Sequence, residues 1–338
     1  MIIDLRSDTF TKPSMEMLEA MFQAKVGDDV FREDPSVNEL EATCATMFNM
    51  EDALFCPSGT MTNQIAIKCH TTPGNEVICE KHSHIYIYEG GGIASNSSCQ
   101  VKPIDGDRGR INANQVLEAI NSDDIHKPIT TLVSIENTCN RGGGSCYELS
   151  DLQAIKDTCN ENNLKLHLDG ARLFNAMVAK NQDAKDYGIL FDSISICLSK
   201  GLGAPVGSVL LGNQQFINKA RRVRKVFGGG MRQAGYLAAA GTFALKNNIA
   251  RLSEDHQNAK RIAEVLNKKD FVAHILPVET NMVIFEIQGK FTAQSLAEYL
   301  KKEQILCIPI SSTQIRMVTH LDVTTSMIDR LVELIEKM

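Results

Sequence analysis

The chain has 338 residues, of which 43% are apolar and 22% charged, and its formal net charge is −6. A chain of this length can bury a large core and provide one large domain and a smaller one. The small negative charge gives no basic field for nucleic acid, and no apolar run approaches the ~20 residues of a membrane span. Nucleic acid and membrane are therefore not expected as partners.

Two further features predict the compartment. Asp4 and Arg6 interrupt the opening residues, where a secretory signal would need an apolar run. The 10 cysteines are scattered without a paired framework, which favours reduced thiols. We expect a cytoplasmic protein.

The order of elements predicts the architecture. Short apolar runs alternate with amphipathic helices, the first of which starts at Asp34-Pro35, and this alternation predicts an α/β fold with a mostly parallel sheet wrapped by helices. Near Asn248 the pattern changes to a long helix, two strands and two more helices. The expected division is a large domain of residues 1–247 and a small α+β domain of residues 248–338, with residues 1–13 folding back toward the active site.

The turn Ser58-Gly59-Thr60 is a candidate anion site. It follows the apolar run 53–56 and Pro57 and precedes a helical segment from Met61. Free backbone amides and the positive end of a helix dipole bind a dianion at such a position. Alternatively, Ser58 is only a helix cap.

His84 follows the apolar stretch 76–79. An imidazole at this place can stack on an aromatic ring and relay a proton. Cys79, His82 and His84 are alternative metal ligands, but no Cys-x-x-Cys pair accompanies them. We expect no metal.

Asp169 ends a segment in which Leu164, Leu166 and Leu168 alternate with polar residues, before Gly170. This pattern predicts a strand with a carboxylate at its end. A buried carboxylate there can hold a proton on a ring nitrogen. The alternative is an ordinary Asp-Gly turn.

Lys200 follows a segment in which Ile194, Ile196 and Leu198 alternate with smaller polar residues, which predicts a half-buried strand. Gly201 and three more strand-breaking residues come next, so the backbone can approach whatever the amine binds. Partial desolvation favours the neutral amine, which condenses with an aldehyde to a Schiff base. The alternative is a surface lysine.

Two arginines are candidate clamps for a carboxylate. Arg172 lies three residues after Asp169, and Arg316 lies in the strand-like run 314–320. A guanidinium binds a carboxylate through two parallel hydrogen bonds. Either arginine could instead form a surface salt bridge.

These candidates fit one cofactor. Pyridoxal phosphate needs a lysine for its aldehyde, a carboxylate for its ring nitrogen, a phosphate site and a group against its ring. The sequence therefore predicts pyridoxal phosphate and a small amino-acid substrate held by its carboxylate.

The same residues lie within motifs that resemble those of the low-specificity L-threonine aldolases. The resemblance covers essentially the whole chain in the right order. The matching strings are Leu5-Arg-Ser-Asp-Thr9, Val26-Gly-Asp-Asp-Val30, Glu33-Asp-Pro35, Pro57-Ser-Gly-Thr-Met61, Ile135-Glu-Asn-Thr138, His167-Leu-Asp-Gly-Ala-Arg172, Leu198-Ser-Lys-Gly201, Gly228-Gly-Gly-Met-Arg-Gln233 and Arg316-Met-Val-Thr-His320.

The resemblance implies a pyridoxal-phosphate enzyme of fold type I, similar in fold to aspartate aminotransferase. It implies a lyase that splits L-threonine and L-allo-threonine into glycine and acetaldehyde. At matching positions the resemblance implies Lys200 for the Schiff base, Asp169 for the ring nitrogen and His84 for the ring face. The other implied cofactor contacts are Ser58, Gly59, Thr60, Arg172, Ser199, Lys225 and Arg232. The substrate carboxylate is assigned to Ser7, Arg172 and Arg316.

The resemblance also places His126 near the substrate hydroxyl and supplies Lys225 from a neighbouring subunit. The base that removes the hydroxyl proton is His84, His126 or a water held by them, and the sequence does not choose. We expect a homotetramer built of two dimers, because the cationic run from Arg221 to Arg232 would repel itself on an isolated surface.

The chain departs from the family pattern at two places. Phe31-Arg32 replaces the usual Tyr-Gly pair, and Cys139 stands where the family has histidine. Both put the fine substrate specificity in doubt. The alternatives are another enzyme on this scaffold, such as an aminotransferase or a β-eliminating lyase, and a noncatalytic binding protein that has no need of Lys200.

Overall fold

The computed structural model describes residues 2–338. Its strands in chain order are β1 (Ile3–Asp4), β2 (Asp52–Cys56), β3 (Glu76–Glu80), β4 (Gln100–Ile104), β5 (Thr130–Glu136), β6 (Lys165–Gly170), β7 (Ser193–Cys197), β8 (Ser208–Gly212), β9 (Val272–Ile275), β10 (Met282–Ile287), β11 (Ile305–Leu306), β12 (Ile308–Pro309) and β13 (Gln314–Val318).

The helices surround these strands and begin where the sequence offers caps. The Asp34 carboxylate accepts bonds from two amides of the helix that starts with Pro35, as predicted. The helices are α1 (Met15–Phe22), α2 (Pro35–Phe48), α3 (Gly59–His70), α4 (His84–Ile87), α5 (Gly92–Ser97), α6 (Ala113–Ala119), α7 (Leu149–Glu161), α8 (Leu173–Lys180), α9 (Ala184–Leu190), α10 (Gln214–Val226), α11 (Gly235–Asn247), α12 (Leu252–Leu266), α13 (Ala293–Lys302) and α14 (Thr325–Glu336).

The large sheet has seven strands in the order β2-β8-β7-β6-β5-β3-β4. Strand β8 is antiparallel to both of its neighbours, and the other pairs are parallel. This mixed but mostly parallel sheet confirms the predicted α/β fold. Because parallel strands end at the same edge, the residues that follow β5, β6 and β7 converge there.

Strand β7 was predicted to be half-buried, and this is wrong. All five of its residues are buried, because β6 and β8 flank it on both sides in the sheet. Its serines are tolerated because they have partners: Ser193 Oγ lies 2.8 Å from His167 Nδ1, and Ser195 Oγ lies 2.6 Å from Thr62 Oγ1. The alternation reflects two packed faces, one aliphatic and one hydrogen-bonded.

A second sheet and a second core lie in the later part of the chain. The sheet is antiparallel, in the order β12-β13-β10-β9, and its core takes residues from α12, α13 and α14 together with Ile3 and Leu5. The first residues join this unit because β1 pairs in parallel with β11. The segment that follows β1 then crosses to the large sheet, where the Thr11 hydroxyl donates to the Lys200 carbonyl at 3.1 Å.

None of the helices in residues 2–338 combines the length and the apolar character needed to cross a membrane.

Candidate active site

A cavity of about 560 Å³ opens at the carboxyl edge of the large sheet, between that edge and β12 and β13. Five residues that the sequence selected line it together: Ser7, His84, Arg172, Lys200 and Arg316. They come from the opening segment, α4, the turn before α8, the turn after β7, and β13. Residues far apart in the chain thus share one cavity.

Lys200 lies in the turn that follows β7. Its carbonyl accepts bonds from Thr11 Oγ1 and from the Gly203 amide, so the backbone is held on both sides. Gly203 has φ +80°, and a Cβ there would lie 2.9 Å from Leu321, so this turn requires glycine. The Lys200 amine forms no hydrogen bond or ion pair with any residue from 2 to 338, which leaves it available to a ligand.

Asp169 lies at the end of β6 with 2% of its surface exposed. Its Oδ2 accepts a bond from Asn63 Nδ2 at 2.9 Å, and its Oδ1 accepts one from the Ala171 amide at 3.2 Å. A carboxylate has further lone pairs for a ligand donor. The two bonds fix its orientation.

A buried chain of hydrogen bonds lies behind Asp169. Burial lowers the pKa of His167 to about 3 and that of His70 to about 4, so both rings are neutral. Asn63 donates to Asp169, so its Oδ1 accepts from His167 Nε2 at 3.1 Å. The Ser193 hydroxyl then donates to His167 Nδ1 and accepts from His70 Nε2, each at 2.8 Å. Every donor in this chain of bonds points toward Asp169, so each polar group behind the carboxylate has a partner.

His84 is held by a second buried carboxylate. Its Nδ1 lies 2.9 Å from Glu89 Oε1, and Glu89 also accepts from Asn63 and Gln64. Burial lowers the pKa of His84, but the bond to Glu89 and the charge of Asp169 raise it above its usual value overall. With Nδ1 bonded, Nε2 is the ring nitrogen left for the cavity.

Ligating atoms of His84, Glu89 and Asp169 lie within 4.8 Å of one another. Asn63 Nδ2 donates to Glu89 Oε1 and to Asp169 Oδ2, at 2.9 Å each, so an amide nitrogen stands between the two carboxylates. This donor explains the cluster without an ion, and the predicted lack of a metal stays a prediction.

The predicted anion site lies at the start of α3. The Ser58 hydroxyl caps the helix by accepting a hydrogen bond from the Met61 amide at 3.2 Å. The prediction that Ser58 is a helix cap is therefore confirmed. The amides of Gly59 and Thr60 donate to no residue between 2 and 338. A Cβ on Gly59 would lie 2.7 Å from Cys197 Sγ, so only glycine fits against the end of β7. The helix N-terminus keeps open amides for an anion.

Arg172 is not the free clamp that the sequence predicted. Its Nε and one terminal nitrogen donate to the two oxygens of Asp8, at 2.7 and 2.6 Å, and both side chains are buried. Burial raises the pKa of Asp8, but the charge and hydrogen bonds of Arg172, with the nearby charges of Lys200 and His320, together lower it to about 2. The two-pronged face of Arg172 is therefore used inside the protein, because a buried arginine needs a counter-charge.

Arg316 has no such partner. It donates to Asn140 Oδ1 at 3.0 Å and to the Arg6 carbonyl at 3.3 Å, and its Nε is buried without a partner. Among residues 2–338 no carboxylate pairs with it. Burial, with Arg172 nearby, lowers its pKa below the usual value. This cation is positioned to accept a carboxylate from a ligand.

Glu136 ends β5 and supports both sides of the cavity. Its oxygens accept from the amides of His84 and Asn140, at 2.6 and 2.7 Å. Burial, together with the charge of Asp169, raises its pKa to about 7.

His126 is not brought to this cavity. It lies in an exposed loop, its Nδ1 bonded to Asp124 at 2.8 Å. The loop leads into the start of β5, and nearby Asn121 bonds to Glu76 at the start of β3. This is the edge of the sheet opposite Asp169. A role of His126 near a substrate hydroxyl stays a prediction that would need a second chain.

The cationic run around α10 differs from the prediction. Arg221 pairs with Glu41, Arg224 with Asp29 and Arg232 with Asp28, so these charges are compensated and the run does not repel itself. Lys225 is exposed and has no polar partner among residues 2–338. Neither Lys225, Arg232 nor the half-buried Ser199 lines the cavity of the single chain.

Several residues of the site were missed. Asp8, Glu136 and His167 lay inside quoted motifs, each beside or near a residue that was selected. Asn63 and Glu89 carry no such signal. A polar residue in the first turns of a helix, or before a glycine run, is typical of an exposed position. Only the tertiary structure shows that these two side chains are buried.

The β-eliminating lyase family profile matches residues 4–290. The chain belongs to this family.

Its relatives are more specific. The low-specificity L-threonine aldolase of Escherichia coli (strain K12) is 46% identical over 324 residues, which cover 96% of this chain and 95% of the relative. Low-specificity L-threonine aldolase 1 of Arabidopsis thaliana is 42% identical over 331 residues, 96% of this chain and 92% of the relative. A solved structure of the Leishmania major threonine aldolase is 21% identical, with a TM-score of 0.87 and 99% of each chain covered, and shows a shared fold. The resemblance and its fold class are confirmed.

Proposed function

We propose that the protein is a pyridoxal-phosphate-dependent lyase that cleaves L-threonine and L-allo-threonine to glycine and acetaldehyde. The observation that carries the proposal is one cavity containing a free lysine amine, Lys200, and an arginine without a carboxylate partner, Arg316. The family and the names of the relatives support it.

The residues fit the cofactor. Asp169 offers a fixed, buried carboxylate for the ring nitrogen, and α3 offers open amides for the phosphate beside Gly59. Pyridoxal phosphate, when bound, supplies an electron sink for the carbon–carbon bond that breaks. Lys200 is the amine that would hold it, and the bonds from Asn63 and the Ala171 amide would keep the Asp169 carboxylate oriented toward the ring nitrogen.

The other residues orient the substrate. Arg316 binds the α-carboxylate, with Ser7 on the same cavity wall. His84, fixed by Glu89, presents Nε2 for the β-hydroxyl proton, directly or through a water. The contact to the β-hydroxyl amounts to about one neutral hydrogen bond, worth roughly 0.5–1.5 kcal/mol. We therefore expect the kcat/KM values for L-threonine and L-allo-threonine to differ by about tenfold.

Product analysis tests the proposal. Protein loaded with pyridoxal phosphate is incubated with L-threonine and, separately, L-allo-threonine. Glycine and acetaldehyde in equal amounts are expected from both. A keto acid formed together with ammonia would instead indicate a β-eliminating lyase. A keto acid formed only when an amino acceptor is added would indicate an aminotransferase, and the absence of any product would indicate a noncatalytic protein.

The assembly and compartment are further parts of the proposal: a cytoplasmic homotetramer in which Lys225 reaches a neighbour's phosphate site. Support comes from exposed apolar side chains near Lys225, with Val226 80% and Phe31 69% exposed, and from the free state of all ten cysteines, nine of them buried. Inactive Lys200→Ala and Lys225→Ala proteins, refolded together, should regain part of the activity. No recovery in proven mixed dimers would remove Lys225 from the neighbour's site.

A further inference from the structure

Arg141 is a cation in the cavity that the reaction proposed above does not use. Its guanidinium lies 5.7 Å from the centre of the Tyr88 ring, a weak cation–π distance. Its side chain forms no hydrogen bond or ion pair with any other residue of the described range 2–338, although it lines the cavity and is half-buried. The donors of this half-buried guanidinium are therefore available to an anionic ligand in the cavity.

The backbone that carries Arg141 is fixed. The Gly144 amide donates to the Cys139 carbonyl at 2.9 Å. A Cβ on Gly142 would lie 1.8 Å from the Arg108 carbonyl, and one on Gly144 would lie 2.3 Å from Thr280 Oγ1. These glycines let the loop pack against its neighbours, so the position of Arg141 is built into the fold.

The charges of the cavity do not balance. Its lining contains Arg141, Arg172, Lys200 and Arg316 and no carboxylate. Asp8 neutralises Arg172, the cofactor takes Lys200, and a substrate α-carboxylate takes Arg316. One positive charge, that of Arg141, is left for a second anionic group.

Arg141 is connected through Tyr88 to the part of the cavity that contains His84. The Tyr88 ring centre lies 5.7 Å from the Arg141 guanidinium and 5.6 Å, in a tilted arrangement, from the ring centre of His84. His84 is the residue we place at the β-hydroxyl. Asn140, next to Arg141 in the chain, accepts a hydrogen bond from Arg316 at 3.0 Å, so the two arginines are neighbours in the cavity.

From this arrangement we infer that Arg141 forms a second carboxylate subsite and that the enzyme cleaves β-hydroxy-α-amino acids with a side-chain carboxylate, such as 3-hydroxyaspartate. The inference rests on the proposed function. The Cα–Cβ bond breaks and its electron pair stays with Cα, which gains a proton to give glycine. The β-hydroxyl loses its proton as its carbon becomes the aldehyde of glyoxylate, with no net oxidation.

Kinetics with matched substrates test the subsite. Glycine formation is measured with threonine, L-3-hydroxyaspartate and L-3-hydroxyasparagine, the last being a neutral substrate of almost the same shape. The wild type should cleave 3-hydroxyaspartate with a kcat/KM on the order of ten- to a hundredfold above that for 3-hydroxyasparagine, the range expected of a charge-assisted bond. Arg141→Gln should remove this preference, leave threonine cleavage within about twofold, and be rescued in part by Arg141→Lys.

Binding gives a readout independent of turnover. Calorimetric titration of the protein loaded with pyridoxal phosphate uses L-aspartate and L-asparagine, which have no β-hydroxyl and so cannot undergo the cleavage. L-aspartate should bind more tightly, and Arg141→Gln should abolish the difference. Arg222→Gln, which removes an exposed arginine of α10, is the matched control and should change neither measurement.

The outcomes separate the two proposals. No glycine from threonine would overturn the proposed function. Normal threonine cleavage with equal use of the acid and the amide, unaffected by Arg141→Gln, would overturn the subsite alone. If Arg141→Gln weakens threonine and 3-hydroxyaspartate equally, Arg141 binds the α-carboxylate and the subsite is again wrong.

Discussion

Two walls of the cavity differ in how their polar groups are satisfied. The inner wall is His84 at the cavity surface with Glu89, Asn63 and Asp169 behind it. Hydrogen bonds of 2.9 Å join these residues, and a chain of neutral histidines lies behind them. The outer wall, which comprises Arg316 and Arg141, has a buried Nε without a partner and no carboxylate. The inner wall is preorganised for a ligand that stays bound, which is the cofactor. The outer wall has unpaired positive charge for a substrate that binds and dissociates in each turnover.

Lys200 lies between the walls and its amine bonds to neither, so its removal separates chemistry from stability. Lys200→Ala should lower turnover by about 10³-fold or more and leave the unfolding temperature unchanged, because no side-chain bond is lost. Borohydride should attach the cofactor irreversibly to the wild type at this residue. Normal turnover in Lys200→Ala, with cofactor still fixed by borohydride, would contradict its role.

Breaking the inner wall should affect the bond-breaking step more than cofactor binding. Asp169→Ala should lower kcat by roughly 10²–10³-fold, while cofactor affinity, followed by absorbance, falls less. Asp169→Asn keeps the shape without the charge and should be as inactive. An active Asp169→Asn protein would show that shape alone is needed.

Glu136 supports both walls and should show a smaller effect, in stability. Burial, with Asp169 nearby, raises its pKa from 4.5 to about 7, so the folded protein binds more protons than the unfolded chain in this interval. The wild-type free energy of unfolding should therefore fall as pH rises through it, by up to about 3 kcal/mol from this group.

Glu136→Gln should flatten that fall. Thermal unfolding of the cofactor-free proteins between pH 4.5 and 8 measures the difference between wild type and variant. A constant difference across this range would mean that Glu136 has its usual pKa.

The sequence predicted well that Asp169 and Lys200 come at strand ends, because both follow period-2 segments whose ends share one edge of a parallel sheet. It could not predict which side chains bond to each other. Arg172 and Arg316 are equivalent candidates in the sequence. In the structure the opening segment packs against the large sheet, so Asp8 pairs with Arg172 and no carboxylate pairs with Arg316. The sequence also did not show that the His126 loop lies at the opposite edge of the sheet in the same chain, so its role stays a prediction.

The most direct test compares Arg172→Gln with Arg316→Gln, since the account assigns the first arginine to the fold and the second to the substrate. Arg172→Gln leaves Asp8 charged, buried and unpaired, and should lower the free energy of unfolding by about 3–5 kcal/mol. Arg316→Gln should lower it by about 1 kcal/mol and raise the KM for threonine by roughly ten- to a hundredfold. Equal loss of stability in the two proteins, with an unchanged KM in Arg316→Gln, would contradict the account.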